Sequence, residues 1–478
     1  MSAGNQEQPQ ALVAQPEPAA ASPAPARIEM TDLGNARRLV LRHGADLRFC
    51  PQHGRWYTWD GWRWAADETG AIVRFAKETV RAIRQEAARE QDDDRRNALY
   101  RHAAASQSAY AIRSMIELAQ SEAEVVVATD QFDADPWLLT VQNGTIDLRT
   151  GALGPHRRED LITMLAPVPY DPEAAAPLFE QVVDNLAGGD ESVVGFLRRA
   201  VGYAATATTR EQAFFVLYGR GGEGKSALLE ALGSTLGEYA QRVPTQTLMA
   251  TRDGGIPNDV ARLRGKRFAR ASEVDQGLQL AESQLKQLTG GDTVAARFLR
   301  QEFFEFRAVC KIFLATNHLP RVKGGDRGIW RRIKVVHCRN PVREENQDRD
   351  LPAKLEGERP GILAWIVRGC LEWQREGLSE PPAVAEAAAL YRSEMDTVGR
   401  FLEECCTVSP SSTVPCKDVY SRYAGWCFDN GERALSNNEL SAELRARGLE
   451  TKKSTGGRYR WVGVALVSSG GTPTLSEL

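Results

Sequence analysis

The chain has 478 residues, 42% of them hydrophobic and 26% charged, with a formal net charge of −3. That length exceeds one ordinary core and calls for roughly two to four compact units, and the composition excludes a fibrous or wholly disordered chain. No apolar run reaches the roughly eighteen residues of a membrane span, and the charge balance excludes a globally basic nucleic-acid coat while leaving room for local basic patches.

Residues 1–27 are rich in Ala, Pro and Gln, offer almost no core-forming side chains and read as a disordered arm. They lack the basic start and apolar stretch of a signal peptide, so a cytosolic location is expected. In "RWYTWDGWRWAAD" (Arg55 to Asp67), Asp60-Gly61 between aromatic runs predicts a β-hairpin whose rings fill a small core in preference to stacking on bases. A charged helical stretch follows from about Ala71 to Ala119. Its "QDDDRR" run points three carboxylates in different directions, which suits a solvated face rather than a metal site. "WLLTVQNGTIDLRTGAL" (Trp137 to Leu153) is β-like around Asn143-Gly144, and helical patterns run from beyond Pro177 to about Ala207.

"QAFFVLYG" then reads as a buried strand and "KSALLEALGSTLG" as the helix after it. Short apolar strands recur at Lys266–Glu273, Val309–Asn317 and Arg331–Cys338 between helical segments, the pattern of a central, largely parallel sheet. Beyond Pro341 the chain turns helical, and a small α/β unit occupies about Thr413 to Leu466. Eight scattered cysteines read as reduced thiols, and Cys50 with His53 has no second ligand pair nearby for a zinc site.

Between that buried strand and its helix stand Gly219, Arg220, Gly221, Gly222, Glu223, Gly224, Lys225, Ser226 and Ala227, a full Walker A pattern in its required context. Loop N–H groups and the helix N-terminus hold phosphate, Lys225 reaches the outer phosphates of ATP, and the Ser226 hydroxyl ligates Mg²⁺. The acid that completes such a site is expected at Glu273, with Asp275 as auxiliary ligand, because they end a following strand. Asn317, where an apolar strand turns polar, is placed to sense the γ-phosphate. Arg331 and Arg332 are candidates for neutralising transition-state charge.

The sequence "GRGGEGKS", "ASEVD", "LTGGDTVAARFLRQEFFEF", "FLATNHLP" and "GIWRRI", in that order, resembles the superfamily 3 helicases of the phage and plasmid primase type, which include the poxvirus primase-helicase. The resemblance implies an α/β fold. Its parts are an AAA+-like P-loop NTPase core (186–345), an N-terminal α+β domain (28–185), a helical segment (346–406), a C-terminal winged-helix domain (407–466) and a tail (467–478). It also implies Glu273 as Walker B acid, Asn317 as sensor, Arg332 as arginine finger with Arg331 second, and a hexameric ring in a bacterial host's cytoplasm. The segment Arg297 to Phe306 corresponds to the family's channel hairpin, with Arg297 and Arg300 on DNA phosphates and Phe298, Phe303 or Phe304 near bases. A primase domain is not expected within this chain, so a separate primase or polymerase would supply primers.

At the C-terminal end, Ser436 and Glu439 stand at capping-box spacing and Gly448 ends the helix they open. Gly456-Gly457 marks a hairpin. Arg445, Arg447, Lys452, Lys453, Arg458 and Arg460, opposed within the span only by Glu450, make this a candidate duplex-DNA contact. The expected function is an ATP-dependent DNA helicase or translocase of a phage, prophage or plasmid. Its rivals are an ATP-switched initiator or loader, and a small-molecule kinase.

Overall fold

In the computed structural model, residues 28–250, 258–297, 302–322, 327–343, 345, 347–453 and 457–467 are described. They form two compact units, residues 28–58 with 66–129, and residues 59–65 with 130–467.

In chain order, α1 (Asp32–His43), β1 (Leu47–Cys50) and β2 (Arg55–Trp59) precede β3 (Trp64–Ala66), whose first two residues belong to the second unit, and α2 (Ala71–Arg89), α3 (Asp93–Ala105) and α4 (Ala109–Ala119) of the first unit follow. Strands β1 and β2 pair antiparallel from Leu47↔Thr58 to Cys50↔Arg55. Helix α2 buries Ile72, Ala76, Val80, Ile83 and Ala87, one apolar stripe at helical spacing, and Asp67 caps its start by accepting from the N–H groups of Ala71 and Ile72 (2.8 and 2.9 Å). Asp92 caps α3 in the same way, accepting from Arg95 N–H at 2.9 Å, and Asp93 pairs with Arg96, so the "QDDDRR" run is a helix start. The Asp60 carboxylate shapes the predicted turn, accepting from Trp62 and Arg63 N–H groups at 2.9 Å each, and Trp56, Tyr57 and Trp64 are buried.

The second unit opens with an antiparallel meander, β4 (Leu138–Val141), β5 (Gly144–Asp147) and β6 (Ala152–Gly154), then α5 (Pro177–Ala187) and α6 (Glu191–Ala205). The β4–β5 turn is Gln142-Asn143, one residue earlier than predicted, because Gly144 is already paired with Val141. Next come β7 (Phe214–Tyr218), α7 (Lys225–Leu236), β8 (Ala240–Arg242), α8 (Asn258–Ala261), β9 (Phe268–Ser272), α9 (Glu282–Gly290), β10 (Thr293–Ala296), β11 (Phe304–Arg307), β12 (Lys311–Thr316), α10 (Arg327–Trp330) and β13 (Ile333–His337). Five of these strands make one parallel sheet in the order β13-β7-β12-β9-β8.

Both faces of that sheet are covered, which is why the runs Phe214–Leu217 and Ile312–Ala315 in its central strands are continuously apolar. Phe215, Leu217 and Phe313 face a core shared with α5, α6, α7 and α12 (Arg359–Glu376), whereas Phe214, Val216, Ile312 and Leu314 face one shared with α9 and with Tyr391 of α13 (Pro382–Met395). Helix α11 (Leu351–Gly357) leads into α12. Helices α6 and α12 cross backbone to backbone. A Cβ on Gly202 would lie 2.0 Å from Cys370 N, and one on Gly369 would lie 2.1 Å from Arg198 O.

The chain ends in α14 (Thr397–Cys405), β14 (Cys406–Pro415), α15 (Cys416–Asp429), α16 (Asn437–Ala446), β15 (Glu450–Lys453) and β16 (Tyr459–Leu466), an antiparallel sheet in the order β14-β16-β15 with helices around a separate core. The capping box at Ser436 and Glu439 forms, and Gly448 follows α16 with φ +87°.

Candidate functional site

Strand β7 delivers the chain into the glycine-rich loop at the C-terminal edge of the parallel sheet. Gly221, Gly222 and Gly224 take φ values of +119°, +83° and +93°, which a side chain would resist, and α7 starts at Lys225. Because β12 lies between β7 and β9, the ends of all three strands converge there. A cleft of about 260 Å³ results, lined by Gly221 to Ala227, Glu273 and Ala315 to Asn317.

Lys225, Ser226, Glu273 and Asn317 are thus brought together although they are spread over residues 225–317. Glu273 has φ +68°, rare for a residue with a side chain, and its N–H donates to Ala315 O at 3.0 Å. At the end of β12, the Thr316 hydroxyl donates to His318 O (2.6 Å) and the Thr316 carbonyl accepts from Gly219 N–H (3.2 Å). Asp275 is exposed and Gly219 and Arg220 stand outside the cleft lining. The hydroxyl of Ser226 and the carboxylate of Glu273 are hard oxygen donors on one cleft, a set that suits Mg²⁺.

Glu223 has a role that motif spacing does not encode. Its carboxylate is 2% exposed, accepts from Gly221 N–H at 2.9 and 3.0 Å, and accepts from Lys225 Nζ at 2.6 Å. Lys225, 6% exposed, also donates to Gly219 O at 3.0 Å. Burial raises the Glu223 pKa, but the bonds from Lys225 and Gly221 outweigh it and hold the carboxyl below its ordinary range. Asn185 of α5 was also missed: its Nδ2 donates to Asn340 O (2.9 Å) and Glu223 O (3.4 Å), tying the loop to the chain beyond β13.

Arg331 and Arg332 lie elsewhere. Ile333 pairs with Phe214 and His337 with Tyr218, so both arginines precede β13 at the edge opposite the cleft. Arg332 is 8% exposed and donates to Gly328 O at 2.8 Å, whereas Arg331 is exposed and donates to Gln212 Oε1 at 2.9 Å. Arg332 is thus folded into the turn that starts β13, and Arg331 is open to solvent.

Strands β10 and β11 pair antiparallel from Thr293↔Arg307 to Ala296↔Phe304. At their free end the Arg297 guanidinium lies over the Phe303 ring (4.9 Å), and Phe303 is 57% exposed. Phe304 and Phe306 pack on the sheet's core. Phe298 and Arg300 lie outside the described residues.

In the C-terminal unit, Lys452, Lys453 and Arg458 are exposed on and beside the β15–β16 strands. Arg460 is clamped to Thr413, donating from Nη2 to its carbonyl at 2.8 Å, and Arg445 lies over the Trp461 ring at 5.8 Å. Arg447 pairs with Asp396, a counter-charge from outside the span (2.6 Å).

Residues 36–188 match the family described as "D5 N terminal like", residues 217–332 a family of unknown function, and residues 393–457 the family described as "Poxvirus D5 protein-like". Two of these three families are of D5 type, so over those segments the chain resembles the D5-like primase-helicases. Relatives of this D5-like chain include "Putative helicase L207/L206" of Acanthamoeba polyphaga mimivirus (24% identical over 62% of this chain and 34% of the relative). "Putative helicase 022R" of Frog virus 3 is 27% identical over 63% of this chain and 40% of the relative. "Putative primase C962R" of African swine fever virus is 26% identical over 66% and 36%. The D5-like chain therefore spans well under half the length of these relatives. Among solved structures, the "NrS-1 C terminal region" gives a TM-score of 0.47 at 12% identity, covering 90% of this chain and 99% of that one. Among the described residues, no helix is long and apolar enough to cross a membrane.

Proposed function

We propose that this chain is the motor of a DNA-replication system, an ATPase that assembles head to tail into a ring, a homo-hexamer, translocates on single-stranded DNA and separates duplex strands. The observation that carries this is the split between the two edges of the sheet. Lys225, Ser226, Glu273 and Asn317 line one cleft, while exposed Arg331 stands a strand length away, about 13 Å or more. An arginine so placed serves the cleft of an adjacent copy, and repeating that heterologous contact closes a ring.

ATP would be held by the loop N–H groups, Lys225 and the N-terminus of α7, with Mg²⁺ on Ser226 and Glu273; the metal neutralises phosphate charge when bound. Glu273 polarises the attacking water and Asn317 contacts the γ-phosphate. Asp275, exposed outside the cleft lining, is left in reserve as an outer ligand. The β10–β11 tip, with Arg297 and with Arg300 beyond the described residues, grips the strand. The C-terminal unit, read as a winged helix from its sheet order β14-β16-β15 and its three helices, contacts duplex phosphates through Lys452, Lys453 and Arg458. Arg445 and Arg460 are engaged within the fold and serve that surface by support. A replicating viral, phage or plasmid genome is the setting, with primers made by a separate primase or polymerase.

The test is ATP hydrolysis by wild type and Lys225→Ala, with and without single-stranded DNA, followed by strand separation. Turnover raised by DNA and lost in the variant supports a motor. Turnover indifferent to DNA refutes it, and DNA-stimulated turnover without strand separation favours an ATP-switched loader.

A further inference from the structure

Helix α2 carries a charge arrangement that the nucleotide site does not use. Arg74, Lys77, Arg81 and Arg84 are all exposed, on a face turned away from its buried stripe. At 3.6 residues per turn they fall within an arc of about 80° and extend along about 15 Å of helix. Among the described residues none of the four takes part in an ion pair, and Arg74 donates only to the carbonyl and hydroxyl oxygens of Thr69 (2.8 and 3.0 Å).

Other cations of the same unit are paired: Arg38 with Glu86, Arg37 with Glu122, Arg95 with Glu90 and Arg96 with Asp93. Glu78, which flanks the strip, faces His43 at 4.0 Å. Residues 28–58 and 66–129 hold equal numbers of basic and acidic side chains, so this strip is a local concentration and not a reflection of overall charge. It also works against the helix that carries it. The steps from 74 to 77, 77 to 81 and 81 to 84 each set like charges one turn apart, which weakens a helix. Arg74 lies in the first turn, where the helix dipole disfavours a cation. A polyanion laid along the strip removes both costs. Phe75 is stacked on His43 (centroids 4.6 Å apart) and α2 exposes no aromatic ring, so phosphates and not bases are what the strip can hold.

We propose that this strip is a second DNA contact, made to the phosphate backbone without base readout, on a unit separate from the ATP cleft. It rests on the reading that the chain works on DNA. The test compares the full chain with a fourfold variant, R74Q/K77Q/R81Q/R84Q, binding labelled single-stranded and duplex DNA of mixed sequence between about 50 and 200 mM salt. The slope of log affinity against log salt is expected to shallow by about 3 on single strands or about 3.6 on duplex, from roughly 0.7 and 0.9 per phosphate contact. Melting temperature does not fall, since all four side chains are exposed and the variant removes like-charge neighbours along the helix, and DNA-free ATP turnover stays at the wild-type value. Lysine at the three arginine positions retains the slope. A slope lost on one DNA form alone assigns the contact to that form. A fourfold variant with the wild-type slope overturns this contact and leaves the motor untouched, whereas wild-type protein that binds neither form overturns both.

Discussion

If nucleotide binds as proposed, it must displace Glu223 before it can use Lys225, so Glu223→Gln is expected to bind nucleotide more tightly. The carboxylate holds Lys225 Nζ at 2.6 Å and Gly221 N–H at 2.9 and 3.0 Å, occupying two of the donors a phosphate would take. Both side chains are nearly out of solvent, at 2% and 6% exposure, so water screens the pair little. A hydrogen bond to a charged group contributes about 1.5–3 kcal/mol and a neutral one about 0.5–1.5. Glutamine keeps the shape and gives up the difference, about 1–1.5 kcal/mol, or an affinity gain of roughly tenfold. The nucleotide-free variant should also melt lower, because Lys225 loses its buried partner, and regain more on adding nucleotide. Calorimetric titration with ADP, with and without Mg²⁺, reads the affinity, and thermal unfolding reads the stability. Affinity that falls in the variant would refute the competition and make Glu223 a supporting group of the bound state.

Arg331→Ala is expected to lower ATP turnover by at least about a thousandfold. Mixed with Lys225→Ala it should recover part of that turnover, since each variant supplies what the other's shared site lacks; a mixture as inactive as its components counts against a trans arginine. Gly202→Ala drives a Cβ to 2.0 Å from Cys370 N and should cost about 1–3 kcal/mol or more, read as a fall in denaturation midpoint. Lys311 is buried and donates to Thr206 O, to Val309 O at 3.0 Å and to Thr208 O at 3.3 Å. Burial pulls its pKa well below the 10.5 of an exposed lysine. Between those two pKa values the unfolded chain binds the extra proton, so stability rises with pH through that window, by up to about 1.4 kcal/mol per pH unit. Lys311→Met should flatten the rise, and an unchanged alkaline limb in denaturation curves would contradict it.

Much of the site was legible in the chain because its geometry is local. Glycines at 221, 222 and 224 permit the left-handed turns, Lys225 and Ser226 open the helix beside them, and an apolar strand must come before. The same holds for the Ser436–Glu439 cap and for the apolar runs at β7, β9, β12 and β13, buried on both faces of one sheet. Tertiary structure alone decided what depends on distance across the fold. Strand order puts Glu273 and Asn317 on the cleft and leaves Asp275 off it. A single turn before β13 buries Arg332 and exposes its neighbour Arg331, a distinction invisible in "WRRI" because identical side chains differ there only in direction. Glu223 reads as one more loop residue until the fold closes it onto Lys225. Spacing encodes which backbone shapes are possible, whereas charge pairing is settled by which side chains burial brings within reach of one another.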